Sequence, residues 1–180
     1  IGITGHRLQR LDPKTLPGGV VPYLFPSRYC ESDRLEEMVL RDFGSLAGGD
    51  KVAAMAAWIR GHLTYAPSGD TGTTAIDTLV ARRGVCRDYS HLLIAMVRAA
   101  DIPARMVGAY AWALEPEDFH AVVEVWLDGA WRLVDPTGLA PEEGIVRIGV
   151  GRDATDISFL TIFGRAEMVA QSVAVKRLDP

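Results

Sequence analysis

The spacing of apolar residues along the chain changes once, at Pro103, from a helical period to the alternation of strands. Before this proline, apolar residues recur every three or four positions, which predicts amphipathic helices. After it, three segments rich in Val, Trp and Tyr are predicted to be strands, namely Arg105–Ala111, Phe119–Leu127 and Ala130–Asp135. Helices followed by strands predict an α+β domain in which the helices pack on an antiparallel β-sheet.

Four helices are predicted, and each is bounded by residues that commonly cap helices. Their predicted limits are 32–44, 50–63, 74–84 and 85–100. The last helix has the widest apolar stripe, so it is predicted to be the central helix of the core. Ile145–Val150 and Ser172–Leu178 are two further strand candidates.

The first 30 residues are predicted to be irregular. Residues that break regular structure recur there at short intervals: Pro13, Pro17, Gly18, Gly19, Pro22 and Pro26. Residues 1–30 are therefore expected to be a leader that is a linker from, or a remnant of, a missing N-terminal domain. Residues 31–180 are expected to form the functional core, which is long enough to fold without disulfide or metal support.

Asp128-Gly129 lies between the second and third predicted strands and is a strong signal for a two-residue hairpin loop. Such a loop pairs residue 127 with residue 130 and places Trp126 opposite Trp131. Strand side chains alternate between faces, so this register puts Asp135 on the same face as His120 and diagonal to it. A diagonal neighbour is within reach of an imidazole and a carboxylate.

Cys86 follows Gly84-Val85 at the predicted start of the central helix. The partial positive charge of a helix N-terminus favours a thiolate, although a free cysteine is also often an inert buried residue. A thiol nucleophile needs a base. His91 is only five residues away but faces the other side of the helix, so it is read as a surface or structural residue. His120 remains as the base, with Asp135 to orient its ring.

Each of these residues has a plainer alternative. His120 could be a half-buried structural histidine, and Asp135 could be a turn residue that ends its strand before Pro136. Their conjunction with Cys86 favours acyl transfer through a thioester, in which the backbone N–H of Cys86 stabilises the oxyanion. The sequence does not name a second donor for that oxyanion.

Other classes of function are disfavoured by composition. The chain has 19 Lys and Arg against 23 Asp and Glu, which argues against a nucleic-acid partner. Its apolar runs are shorter than the ~20 residues of a membrane span. No paired Cys or His spacing suggests a metal, and no cofactor is predicted. Cys30 and Cys86 are expected to be free thiols in a reducing compartment, and the protein to be cytoplasmic.

Several separated blocks of the sequence resemble the transglutaminase-like superfamily, and more narrowly its bacterial cysteine protease-like members. The blocks are residues 84–92 (GVCRDYSHL), 102–105 (IPAR), 108–110 (GAY), 120–126 (HAVVEVW), and Trp131 with 135–137 (DPT). The resemblance implies a papain-like α+β fold with a catalytic triad of Cys86, His120 and Asp135. It also implies that a β-sandwich domain precedes such a core. Where many members have His-Ala-Trp, this chain has Val122, which is expected to reshape the cleft.

The resemblance leaves three functions open. The first is a cysteine protease-like hydrolase acting on peptide or isopeptide amides of a peptide or protein substrate, which is the favoured reading. The second is a transglutaminase, in which an amine takes the glutaminyl acyl group instead of water. The third is a catalytically idle domain that only binds a partner.

Overall fold

The computed structural model describes residues 8–66, 72–158, 160, 162–165, 167 and 169–178. Its helices are α1 (Glu36–Phe43), α2 (Gly48–His62), α3 (Ala75–Ala81) and α4 (Cys86–Ala99). Its strands are β1 (Thr64–Tyr65), β2 (Arg83–Gly84), β3 (Ala104–Ala111), β4 (Phe119–Leu127), β5 (Ala130–Val134) and β6 (Ile145–Gly151). The last four strands form an antiparallel sheet in the order β5-β4-β3-β6, which confirms the predicted α+β class.

Helix α4 is the centre of the core, as its apolar stripe predicts. Every residue from Asp88 to Arg98 is buried, including the polar ones. The helix packs on β3 and β4 with one side and on the other helices with the rest of its surface. Leu92, Leu93 and Met96 are fully buried in the largest apolar cluster, and each such side chain contributes roughly 1.5–3 kcal/mol. Helix α4 is thereby fixed against the two central strands of the sheet.

The β4–β5 hairpin has the predicted register. Asp128 and Gly129 both adopt positive φ, at 48° and 72°, as a two-residue loop of this kind requires. Leu127 pairs with Ala130, and Trp126 pairs with Trp131 at 5.2 Å between ring centroids. The strand ends at Val134, so Asp135 is the first residue beyond it.

A second, two-stranded sheet lies just before α4 and has no counterpart in the sequence prediction. Strands β1 and β2 are parallel, with Tyr65 opposite Gly84. A side chain at Gly84 would put its Cβ 2.6 Å from the Cβ of Asp88, which is closer than packing allows. Glycine therefore lets the first turn of α4 approach β2, and this brings Tyr65 beside Cys86.

Residues 8–30 are irregular, as predicted, but they pack on the core. They contain two 3₁₀ turns, Pro13–Thr15 and Val21–Leu24, and the bridge between Ser27 and Cys30. That this segment connects to a further domain stays a prediction.

The buried Arg98 of α4 ties this leader to the rest of the domain. Its guanidinium donates to the carbonyl oxygens of Phe25, Ala104 and Arg152, at 3.0, 2.8 and 2.7 Å. It also donates to the Ser27 hydroxyl at 3.0 Å. The leader, the start of β3 and the end of β6 thus meet at a single side chain.

The predicted strand over Ser172–Leu178 is wrong, because these residues form no strand. The segment instead bonds to side chains of the β3–β4 connection: Gln171 Nε2 donates to Asp118 at 3.1 Å and Val175 N–H donates to Glu117 at 3.1 Å. Alternating apolar residues are not sufficient for a strand, because strand formation depends on what the segment packs against. Across the described residues, no helix has both the length and the hydropathy that crossing a bilayer requires.

Candidate active site

Cys86 is the first residue of α4 and is half-buried. The N–H groups of a first helical turn have no partner inside the helix, so they favour negative charge at this position. Asp88 caps the turn, since its carboxylate accepts the N–H of Val85 at 3.0 Å. The same carboxylate accepts the Thr73 hydroxyl at 2.7 Å and pairs with Arg87 at 2.8 Å. The negative charge of Asp88 is therefore balanced by the neighbouring Arg87 and does not act alone on the Cys86 thiol.

His120 lies at the start of β4 and its side chain is fully buried. Its Nε2 atom is 3.0 Å from Oδ2 of Asp135. Its Nδ1 atom is buried and has no hydrogen bond to an oxygen or nitrogen atom of the described residues. Burial alone would lower the pKa of His120, but the bond to Asp135 and the neighbouring Cys86 thiol raise it to about 9. The ring is therefore held as an imidazolium near neutral pH.

Asp135 accepts hydrogen bonds on both of its oxygens. Oδ1 accepts the backbone N–H and the hydroxyl of Thr137 at 2.8 and 2.7 Å, and Oδ2 accepts the N–H of Ala140 at 3.2 Å besides the His120 ring. Burial disfavours the charged form, but the bonds from His120 and Thr137 hold the pKa of Asp135 below its usual value. The turn after β5 therefore fixes an ionised carboxylate against the ring.

Tyr65 is a further member of this site that the sequence prediction missed. The pKa of its hydroxyl is raised, first by burial and then by the nearby Cys86 thiol, and the backbone N–H of Cys86 acts in the opposite sense. The ring of Tyr65 also contacts that of Tyr89, with centroids 5.7 Å apart. The available signal was the parallel β1–β2 pairing, but strands of two residues leave no recognisable pattern.

The sequence predicts that His91 is either a surface residue or a structural one. The surface alternative is wrong and the structural one is confirmed. His91 is fully buried and stacks on Tyr29 with ring centroids 5.1 Å apart. Its Nε2 atom accepts the backbone N–H of Ala154 at 3.2 Å. Burial lowers the pKa of His91 to about 4, against a smaller opposing effect of Asp153. The ring is therefore neutral and anchors the 152–157 turn to α4.

The two cysteines are both free but differ in environment. Cys30 is fully buried, and burial raises its pKa to about 12 despite the opposing charge of Arg98. Cys86 opens onto a cavity of about 730 Å³ that His120 also lines. Among the residues that the structure describes, no three His, Cys, Asp or Glu side chains are grouped so as to hold a metal ion.

Val122 is not among the residues that line this cavity, so the expectation that it reshapes the cleft is wrong. It is fully buried in a separate small cluster with Val107 and Ala109, and Leu133 packs against the same cluster. Its size therefore affects the packing of the sheet rather than the wall of the cavity beside Cys86.

The model of the transglutaminase-like superfamily matches residues 37–136, which is more than half of the chain and includes all three site residues. The chain belongs to the transglutaminase-like superfamily. A Mycobacterium leprae protein without assigned function is 36% identical over 121 residues, 59% of this chain and 42% of that protein. A Pseudomonas aeruginosa protein named protein-glutamine gamma-glutamyltransferase is 37% identical over 86 residues, 40% of this chain and 13% of that protein.

Solved structures of this superfamily share the fold. The crystal structure of "a Putative Cysteine Protease" from Cytophaga hutchinsonii has a TM-score of 0.85 and 42% identity. The match covers 88% of this chain and 55% of that one. The periplasmic domain of TgpA from Pseudomonas aeruginosa has a TM-score of 0.56 and 26% identity, over 74% of this chain and 52% of that one. The match thus spans about half the length of these two solved chains and of the Mycobacterium leprae protein.

Proposed function

We propose that this transglutaminase-like domain hydrolyses peptide or isopeptide amide bonds through a thioester on Cys86. One observation carries the proposal: Nε2 of the buried His120 ring is hydrogen-bonded to Asp135, and Nδ1 has no such partner and remains available to the Cys86 thiol. A thiol, an imidazole and a carboxylate in this order form a nucleophile, a base and a group that orients the base. The superfamily and the Cytophaga relative support the same class of chemistry.

The first half-reaction forms the thioester. In this mechanism the proton of the Cys86 thiol already resides on the imidazolium ring of His120, and the Cys86 thiolate attacks the amide carbonyl carbon to form the S–C bond. When the tetrahedral intermediate collapses, the C–N bond breaks and the His120 imidazolium gives its proton to the departing amine. Asp135 keeps its charge throughout and stabilises the imidazolium, which is why its fully satisfied carboxylate matters.

The second half-reaction consumes the thioester. Neutral His120 takes a proton from water as the water oxygen attacks the acyl carbon. Collapse of this second intermediate breaks the C–S bond, releases the carboxylic acid, and returns the proton to the pair of Cys86 and His120. An amine that replaces water in this step gives a new amide instead.

Two groups are proposed to bind the oxyanion. The N–H of Cys86 points out of the first turn of α4, where it has no helical partner. The hydroxyl of Tyr65 is placed beside the same thiol and N–H by the pairing of Tyr65 with Gly84. Losing one oxyanion donor typically slows turnover by about 10²–10³-fold, so a comparable loss is expected for Tyr65→Phe.

Transfer to an amine is the second candidate function. The Pseudomonas aeruginosa relative whose name is that of a transglutaminase favours it, although that match covers only 40% of this chain. The two candidates share every residue named above and differ only in which molecule attacks the thioester.

The experiment that tests the proposal is the alkylation rate of Cys86 by iodoacetamide as a function of pH, read by peptide mass. Cys30 is the internal control, because it is buried and remains protonated. Fast alkylation of Cys86 well below the ~8.5 pKa of a free thiol is expected. A rate that follows the ordinary thiol curve would contradict the mechanism and leave a domain that only binds.

The choice between water and amine is tested next with a mixed peptide pool in the presence and absence of a primary amine. Hydrolysis predicts products that gain the mass of water in both conditions. Transfer predicts a mass adduct that depends on the amine. Cys86→Ala is expected to abolish either product, and retained activity in that variant would exclude a thioester.

A further inference from the structure

A row of three small residues crosses the sheet inside the cavity that Cys86 and His120 line. Gly108 of β3 pairs with Ala121 of β4 on one side and with Gly149 of β6 on the other. All three residues line the cavity. Together they expose almost no side chain over the width of three strands.

The register of β3 and β6 shifts between Gly108 and Ala109, but this irregularity does not give either glycine of the row a backbone conformation that other residues avoid. Glycine weakens the interior of a strand by roughly 0.5–1 kcal/mol relative to alanine. Neither Gly108 nor Gly149 has a positive φ, so neither backbone conformation calls for glycine. A Cβ built on Gly108 or Gly149 would meet only Ile157, at 3.9 Å in both cases, which is ordinary van der Waals contact.

Gly151 is the next residue of β6 on the same face, and packing requires glycine at this position. A Cβ at Gly151 would lie 2.5 Å from Asp156 and 3.0 Å from Ile157, so the turn that follows β6 packs directly on it. At Gly108 and Gly149 a Cβ would touch Ile157 alone, with no other atom within 4 Å. Glycine in a strand often marks the place where a ligand approaches closely, and the position of both glycines in the lining of the cavity fits that explanation.

Apolar side chains enclose the open space on three sides. Met106 and Tyr110 flank Gly108 on the same face of β3, and Tyr110 stacks on Phe119 with centroids 5.4 Å apart. Ile157 covers the glycines, and Ile148 lines the cavity where β3 and β6 lose their register. Besides His120, the lining has two charged residues: Asp118 is exposed and accepts a hydrogen bond from Gln171, and Arg87 pairs with Asp88. The enclosed floor therefore suits an apolar group.

We infer that this row, the glycine floor of Ala121, Gly108 and Gly149, is a specificity subsite that takes an aliphatic or aromatic side chain of the acyl-donor peptide. The inference rests on the proposed function, because it assigns a substrate group to the same cavity. Ala121 directly follows His120, and neighbouring strands lie about 4.8 Å apart, so the floor extends about 10 Å from the strand that carries His120. The side chain in question belongs to a residue within about three positions of the scissile amide.

The test uses two alkylating reagents that differ only in an apolar group, iodoacetamide and N-benzyliodoacetamide. In both reactions the Cys86 thiolate forms the S–C bond as iodide leaves. The measured quantity is the alkylation rate of Cys86 with N-benzyliodoacetamide divided by its rate with iodoacetamide. The folded chain is expected to show a ratio about ten-fold above that of the same thiol in urea, because the benzyl group occupies the floor.

Three variants then probe the floor. Gly108→Ala and Gly149→Ala each add a methyl group that would meet only Ile157, at contact distance and without a clash, and their combination is expected to lower the ratio about ten-fold. Ile157→Ala enlarges the space and is expected to raise the rate of the bulkier N-(naphthylmethyl)iodoacetamide relative to the benzyl reagent. Gly61→Ala is the control, since its Cβ lies on α2 and would meet no atom within 4 Å, and its ratio is expected to equal that of the wild type.

The outcomes separate this inference from the proposed function. A ratio that is unchanged in the double alanine variant overturns the subsite, even if the pH profile shows a primed Cys86. A ratio that falls in that variant supports the subsite, even if the pH profile shows an ordinary thiol, in which case only the catalytic proposal fails.

Discussion

His91 and His120 are both buried, yet only His120 is charged near neutral pH. His120 meets the carboxylate of Asp135, and its pKa is raised to about 9. His91 meets an aromatic face and a backbone N–H, and its pKa is lowered to about 4. Desolvation disfavours the charged form of both rings. The difference shows that a hydrogen-bonded carboxylate, rather than depth in the core, decides which ring is charged near neutral pH.

The largest expected effect comes from removing each ring in turn. His120→Ala is expected to lower kcat/KM by about 10³-fold or more, because the base of a catalytic unit is lost. His91→Phe keeps an aromatic ring against Tyr29 but leaves the Ala154 N–H unpaired, so its main effect is on stability, about 1–3 kcal/mol. Measuring peptide turnover and urea unfolding of both variants separates the loss of activity from the loss of stability. Equal losses of turnover in the two would remove the functional distinction.

Asp135→Asn is expected to reduce turnover by about 10²–10⁴-fold while the fold persists, because an amide neither stabilises the imidazolium nor holds the same tautomer. The variant makes the surroundings of His120 resemble those of His91. The pKa of His120 should therefore fall, which a pH titration of its ring signals by NMR would detect. A pKa that stays near its wild-type value would mean that another group supplies the charge.

The pH dependence of stability should show the two rings as opposite slopes. The pKa of His120 is higher folded than the 6.5 of a free ring, so its stabilisation is full below pH 6.5 and is lost as pH rises through about 9. The pKa of His91 is lower folded, so stability falls as pH drops from about 6.5 towards 4.

Urea unfolding at a series of pH values measures both slopes. His120→Ala is expected to flatten the alkaline one and His91→Phe the acidic one. An acidic slope that persists unchanged in His91→Phe would assign it to other groups.

The smallest expected effect is at the aromatic face of His91. Tyr29→Leu removes the stacked ring but keeps the backbone N–H that Asp153 accepts at 3.0 Å. A loss of about 0.5–1.5 kcal/mol in the free energy of unfolding is expected, with turnover little changed. Urea unfolding measures it, and Phe25→Leu, at an exposed position of the same leader, is the control.

The parts of the fold set by local pattern were predictable. The Asp128-Gly129 loop determines the register of the hairpin, and this register brings Asp135 to His120. The capping box of Thr74 and Asp77 marks the start of α3, as predicted. In each case the signal lies within a few residues of the structure that it determines.

The parts that depend on distant segments were not predictable. Tyr65 reaches Cys86 through two-residue strands that are 18 positions apart in sequence. The burial of His91 is completed by Tyr29 from the leader and by the turn at Ala154. A helical wheel shows which side of α4 carries His91, but not what covers that side.

The buried Arg98 has a consequence for the order in which the chain is completed during synthesis. Its partners lie before it, at Phe25 and Ser27, and after it, at Ala104 and Arg152. During synthesis the ribosome releases the leader first. Arg152 follows Arg98 by 54 positions, so its carbonyl oxygen is released much later. Until then the guanidinium lacks a full set of acceptors and stays hydrated, because an unpaired buried charge is costly. The nascent domain therefore closes late, when its two ends meet around a single cation.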